Sequence, residues 1–191
     1  MTDDKFTDGK VGDSYPEEVT LDDAGLALPI DGVGADEPEV ASVQERPITP
    51  EDLAALAEVD AELNQRWPET KIDPTLERVE MLMDLLGHPE RAFPVIHVAG
   101  TNGKTSVVRM IESLMRAFHR RTGRTTSPHL QIVTERIAID GKPLHPRDYV
   151  DTWRDIQPMV EMVDAKSQAE GGPQMSKFEG LVAMAYAAFA L

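Results

Sequence analysis

The stretch Val95-Ile96-His97-Val98-Ala99-Gly100-Thr101-Asn102-Gly103-Lys104-Thr105-Ser106 constrains this chain more than any other part of it. Its short apolar run, broken at Gly100, reads as a buried strand, so residues 93–99 are expected to form the first parallel strand, with His97 as a hydrogen-bonded core residue. The pattern Val107, Val108, Ile111, Leu114, Met115 then predicts a helix over 104–122, closed by Gly123 in the left-handed conformation. Strand, glycine loop and helix in that order make a phosphate cradle. Gly100 and Gly103 let successive N–H groups turn inward, and the helix brings its unpaired first donors and positive dipole end to the same spot. Lys104 adds a mobile cation, and the hydroxyl of Thr105 or Ser106 is placed to ligate Mg2+ carried by a nucleotide. The expected ligand is Mg-ATP, held by Gly100, Thr101, Asn102, Gly103, Lys104, Thr105 and Ser106, with Lys104 as the catalytic cation. The spacing departs from the common Walker pattern, because Val98 stands where that pattern has its first glycine.

Charge separates this region from what precedes it. Residues 1–50 carry 13 acidic and 3 basic side chains, net −10 of the chain's −15. With scattered glycines and prolines and few large apolar residues, 1–46 is expected to be a disordered acidic leader. The domain is expected over 47–191. So acidic a chain gains nothing from a phosphate backbone, and its basic cluster Arg116, Arg120, Arg121, Arg124 is short, so nucleic acid is not an expected partner. There is no cysteine, no apolar leader peptide and no run of the roughly 18 apolar residues that a membrane span needs. A cytoplasmic monomer with no membrane partner is the reading.

The remaining elements follow from caps and periods. Thr49-Pro50-Glu51-Asp52 marks a helix start, with Leu53, Leu56, Ala57, Leu63 and Trp67 on one face and Pro68 as its end. Asp73-Pro74 opens a second helix bearing Leu76, Val79, Leu82, Met83 and Leu86, a core stripe that stops at Gly87 and Pro89. Ile137 and Ile139 alternate into a turn at Asp140-Gly141. Pro146 starts a helix that is expected to bend or break at Pro158, and residues 178–191 read as an apolar helix packed between layers. The chain stops inside that helix with no second strong parallel strand, so the expected fold is α/β with an incomplete three-layer parallel sheet, truncated at its end.

Four blocks in order carry a resemblance over roughly 49–191: Ile72-Asp73 with Leu76-Glu77-Arg78; His97 to Lys104; Ser127-Pro128-His129-Leu130 followed by Glu135-Arg136-Ile137; and Phe178-Glu179 opening a helix. The chain resembles folylpolyglutamate synthases and bifunctional dihydrofolate synthases, of the Mur ligase superfamily. The resemblance implies an ATP-dependent ligase that joins L-glutamate to dihydropteroate or to tetrahydrofolate through an acyl phosphate, with ATP and Mg2+. It implies Ser127 and Thr105 at the metal. Ile72, Asp73 and Pro74, together with Ser176, Lys177, Phe178, Glu179 and Arg136, fall on the pterin side. His129 is read as positioning its loop, and Glu135 and Arg136 as pairing with each other or with solvent. Thr105 replaces the family's usual glycine, and Gly123-Arg124-Thr125-Thr126 replaces its usual apolar strand. The second metal carboxylate, the metal histidine, the modified lysine and the C-terminal glutamate-ligase domain of the family would lie beyond Leu191. The rival readings are a Mur-type peptidoglycan ligase and a catalytically inactive nucleotide-binding fragment.

Overall fold

The computed structural model describes residues 46–66 and 75–191 and, in the acidic leader, the backbone of 21–22 and 25–26 alone. The leader's described part is a pair of two-residue strands, β1 (Leu21–Asp22) and β2 (Gly25–Leu26), antiparallel with Leu21 opposite Leu26. The expectation for the rest of the leader, and those for Trp67 to Pro74, lie outside the described residues. The unit that holds the motifs runs from Arg46 to Leu191.

Its first helix, α1 (Pro50–Asn64), is set by a capping box: Thr49 Oγ1 accepts from Asp52 N at 3.2 Å, and Asp52 Oδ2 accepts from Thr49 N at 3.1 Å. The buried stripe is Asp52, Leu56, Val59, Leu63; Leu53 and Ala57, expected on that face, are exposed. Leu56 and Leu63 are buried as expected, while Asp52, paired with Arg147 at 3.0 Å, and Val59 take the places expected for Leu53 and Ala57. Helix α2 (Glu77–Leu85) buries Leu82 and Met83, with Val79 and Leu86 packed beside them and Leu76 exposed. It closes through left-handed Gly87 and His88 into a 3-10 turn at Pro89–Arg91.

Helix α4 (Pro146–Ala169) lies at the centre and packs against α1, α2 and α5 (Lys177–Ala190). His145 Nδ1 caps it, accepting from Arg147 N at 3.1 Å and from Arg46 at 2.7 Å. Tyr149, Trp153, Ile156, Val160 and Val163 form its fully covered face. The helix passes through Pro158 without interruption. A proline there costs about 3 kcal/mol, which is offset by Ile156 and Val160 buried on either side and by Glu62 holding Trp153, Arg154 and Gln157. At α5, Ser176 and Glu179 form a second capping box.

The described sheet of this unit is an antiparallel meander, β3 (Gly123–Thr125), β4 (Ile137–Ile139) and β5 (Lys142–Pro143), in that order. Gly123 pairs with Ile139 and Thr125 with Ile137. The turn at Asp140-Gly141 has positive φ at both residues, as a two-residue hairpin of type I′ requires. Gly123 therefore starts a strand and does not stop a helix. Helix α3 (Lys104–Ala117) ends five residues before the expected limit, and left-handed His119 closes it, with Arg120 N bonded to Met115 O. Gly123 is needed for another reason: the Phe189 ring stands about where a Cβ would go.

Residues 93–99 do not form the expected strand. Phe93 is anchored by ring contacts with Tyr186 and Phe189, after which Val95 (58% exposed) and Ile96 (63% exposed) face solvent, as does His97. A parallel strand exists only between neighbours that take its N–H and C=O groups, and no described strand pairs with this run. For the same reason Val107, Met110, Leu114 and Phe118 of α3 are exposed.

What docks α3 is polar. Its one buried residue, Glu112, pairs with Arg124 of β3 at 2.7 Å and accepts from Gly141 N at 3.2 Å. Breaking a buried pair from one side strands the other charge at a cost of about 3–5 kcal/mol. Arg124→Met is expected to lower stability by that order in urea unfolding, and adding Glu112→Met is expected to recover more than half of the loss.

Candidate functional site

The glycine loop presents its donors as the sequence predicts. Gly103 is the N-cap of α3 at φ 78°, with no side chain closing the first turn. The first intrahelical bond runs from Val107 N to Gly103 O, so the N–H groups of Lys104, Thr105 and Ser106 have no intrahelical acceptor. Space where a Cβ would stand is open at both Gly100 and Gly103. Lys104 folds back over its loop, its Nζ donating to Gly100 O at 2.5 Å and to Thr101 O at 3.2 Å. Thr101 and Asn102 are exposed at the loop's crest.

A cleft of about 280 Å³ lies beside this loop. One wall is the start of α3, with Thr105, Ser106 and Arg109; the other is Thr126, Pro128, Leu130 and Glu135. Ser127 sits between two residues of the second wall, joined to Pro128 by a cis peptide bond. The structure thus brings Thr105 and Ser106 to the loop that carries Ser127. These hydroxyls suit Mg2+ that arrives with phosphate oxygens and water. Among the described residues no group of three or more His, Asp or Glu is gathered to hold a metal by itself.

Glu135 shapes the second wall. Its carboxylate accepts three main-chain N–H bonds, from Leu130 (2.9 Å), Gln131 (2.9 Å) and Ile132 (3.0 Å). These bonds, led by that of Leu130, hold its pKa down at about 2. Where pairing with Arg136 or with solvent was the expectation, both carboxylate oxygens accept from main-chain amides. Arg136 is buried and donates from Nε to His129 Nδ1 at 3.0 Å.

The other predicted group does not line this cleft. Ser176 and Glu179 cap α5, and Glu179 Oε1 accepts from buried Arg78 at 3.1 Å. Lys177 is buried against Asp60 at 3.0 Å and Asn64 at 2.6 Å. Of the four, Phe178, 49% exposed, alone offers its side chain to solvent. Ile72, Asp73 and Pro74 lie outside the described residues. The reading from sequence missed the Glu112–Arg124 pair and the place of Arg109; the signal for the latter is its i, i+4 spacing from Thr105.

No sequence-family model matches the chain. Over 145 residues it is 62% identical to the dihydrofolate synthase/folylpolyglutamate synthase of Mycobacterium tuberculosis, covering 74% of this chain and 30% of that protein. It is 38% identical over 119 residues to the Bacillus subtilis protein of the same name, covering 62% of this chain and 27% of that one. The solved structure of Mycobacterium tuberculosis folylpolyglutamate synthase complexed with ADP matches with a TM-score of 0.69 at 60% identity, over 73% of this chain and 30% of that chain. That of Thermotoga maritima folylpolyglutamate synthase matches at 0.64 and 32% identity, over 72% and 31%. The fold is therefore of the Mur-ligase-like α/β class. Over the segment that it shares with them, which is about 30% of the relatives' length, the chain belongs to the dihydrofolate synthase/folylpolyglutamate synthase family.

The Glu135 clamp has a pH signature. A carboxyl whose folded pKa lies below its ordinary 4.5 contributes order above 4.5, and that order is lost as pH falls towards 2. Amide hydrogen exchange at 130–132 is expected to quicken over that window relative to its intrinsic rate. In Glu135→Gln the three amides are expected to exchange fast at neutral pH, with no such acid transition.

Proposed function

We propose that this chain is the nucleotide-binding part of an ATP-dependent ligase that adds L-glutamate to dihydropteroate, to tetrahydrofolate or to both. The observation that carries the reading is the cleft between the free first turn of α3, into which the open glycine loop leads, and the loop that carries Ser127. The names of the relatives support the folate assignment over a peptidoglycan one, and the ADP in one matching structure supports nucleotide binding.

In this proposal the amides of 101–106 and Lys104 grip the triphosphate, and Thr105 and Ser127 take places around Mg2+, which would supply charge neutralisation at the phosphates. A carboxylate oxygen of the pterin-linked acid attacks the γ-phosphorus and ADP departs. The amine of glutamate then attacks the acyl carbon, phosphate leaves, and the amine gives up a proton. The chain's own part is to align and shield: the 127–136 loop walls the cleft, and Lys104 follows the charge as it moves. Ile72, Asp73, Pro74 and Phe178 would face the pterin. Ser176, Lys177, Glu179 and Arg136 would act behind them, since their side chains are spent on caps and internal partners. Folate or dihydropteroate, glutamate and ATP are the partners proposed for a cytoplasmic monomer; no helix among the described residues is long and apolar enough to cross a membrane.

Lys104→Ala is expected to weaken binding of a non-hydrolysable Mg-ATP analogue at least tenfold by calorimetry, with an unchanged thermal melt. Its contacts are limited to its own loop, so the fold does not need it. Wild-type affinity in this variant overturns the role of Lys104.

A further inference from the structure

Arg109 stands apart from the other arginines of its surroundings. Arg124 pairs with Glu112 and Arg136 bonds His129, whereas Arg109 lines the cleft with no hydrogen bond or ion pair to any described residue. It lies one helical turn after Thr105, about 6 Å further along the axis and on the same face, just past the donors that serve the phosphates. The acid opposite does not neutralise it. Glu135 spends both of its oxygens on the amides of Leu130, Gln131 and Ile132 and makes no ion pair with Arg109. Beside it are two apolar surfaces, Pro128 and Leu130, the latter 84% exposed. At about 280 Å³ the cleft falls just below the usual range of whole small-molecule sites, about 300–1,000 Å³, so it suits one end of a longer ligand.

We propose that Arg109 is a specificity-determining residue that pairs with the carboxylate of an aryl-acid substrate, whose ring lies along Pro128 and Leu130. A guanidinium is matched to a carboxylate by its planar, two-pronged donor geometry. This rests on the ligase reading above and adds to it the residue that selects an acid over its neutral analogue. The triphosphate is already served by the loop amides and Lys104, so the loss of Arg109 falls on the acid and leaves the nucleotide.

The test is calorimetry on the 191-residue chain saturated with a non-hydrolysable Mg-ATP analogue, titrated with pteroate and with its uncharged carboxamide. The wild type is expected to prefer the acid at least tenfold. Arg109→Met is expected to lose that preference by weakening for the acid alone, with nucleotide affinity and thermal melt unchanged; Arg109→Lys is expected to keep part of it. Arg109→Met that still prefers the acid as the wild type does, or that loses nucleotide affinity in its place, overturns this inference and leaves the ligase reading standing. A wild type that binds neither nucleotide nor pteroate overturns both.

Discussion

The buried pair between Glu112 and Arg124 is the contact on which the site depends. Helix α3 carries half of the cleft, and it presents most of its apolar side chains to solvent, so ordinary core packing does little to hold it. One carboxylate reaches across to β3 and to the turn at Gly141, fixing the helix at two points at once. Two desolvated charges are a costly way to join elements, and they fix orientation more sharply than an apolar contact, because both partners tolerate little displacement. Thr105 and Ser106 are placed two turns from Glu112, and they inherit that orientation.

The opposite wall is held by a different device. There a single ionised side chain, Glu135, gathers three consecutive amides, while Thr126 N bonds Arg136 O at the base of the loop. Behind both walls sits the helical core around Trp153 and Tyr149, where α4 meets α1, α2 and α5. Phe93, stacked on Tyr186 and edge-on to Phe189, ties the approach to the glycine loop to that same core. The cleft therefore lies between a helix pinned by charge and a loop gathered by one carboxylate.

Local chemistry was legible in the sequence and longer-range pairing was not. The cap at Thr49, the turn at Asp140-Gly141 and the helix start after Gly103 depend on residues within a few positions of one another, so their residue types suffice to predict them. The run 93–99 and the end of α3 depend on partners. A strand needs neighbours on its edges, and Gly123 answers to the Phe189 ring from 66 residues away, which no local rule anticipates. At Pro158 the penalty is local, while the packing that keeps the helix unbroken comes from α1. Of the candidate site, Thr105 and Ser106 share one cleft with Thr126 and Pro128 on either side of Ser127, whereas Ser176 and Glu179 are engaged in a helix cap and an ion pair.

The folded-back position of Lys104 has a thermodynamic consequence. Its ammonium already satisfies two carbonyls of the loop that it belongs to, so an arriving phosphate does not meet a bare charge waiting in water. Capture is a swap of one set of acceptors for another, and the affinity reports the difference between them. In the proposed role such a loop would grip a highly charged anion well and a weakly charged one hardly at all, a selectivity steep in charge.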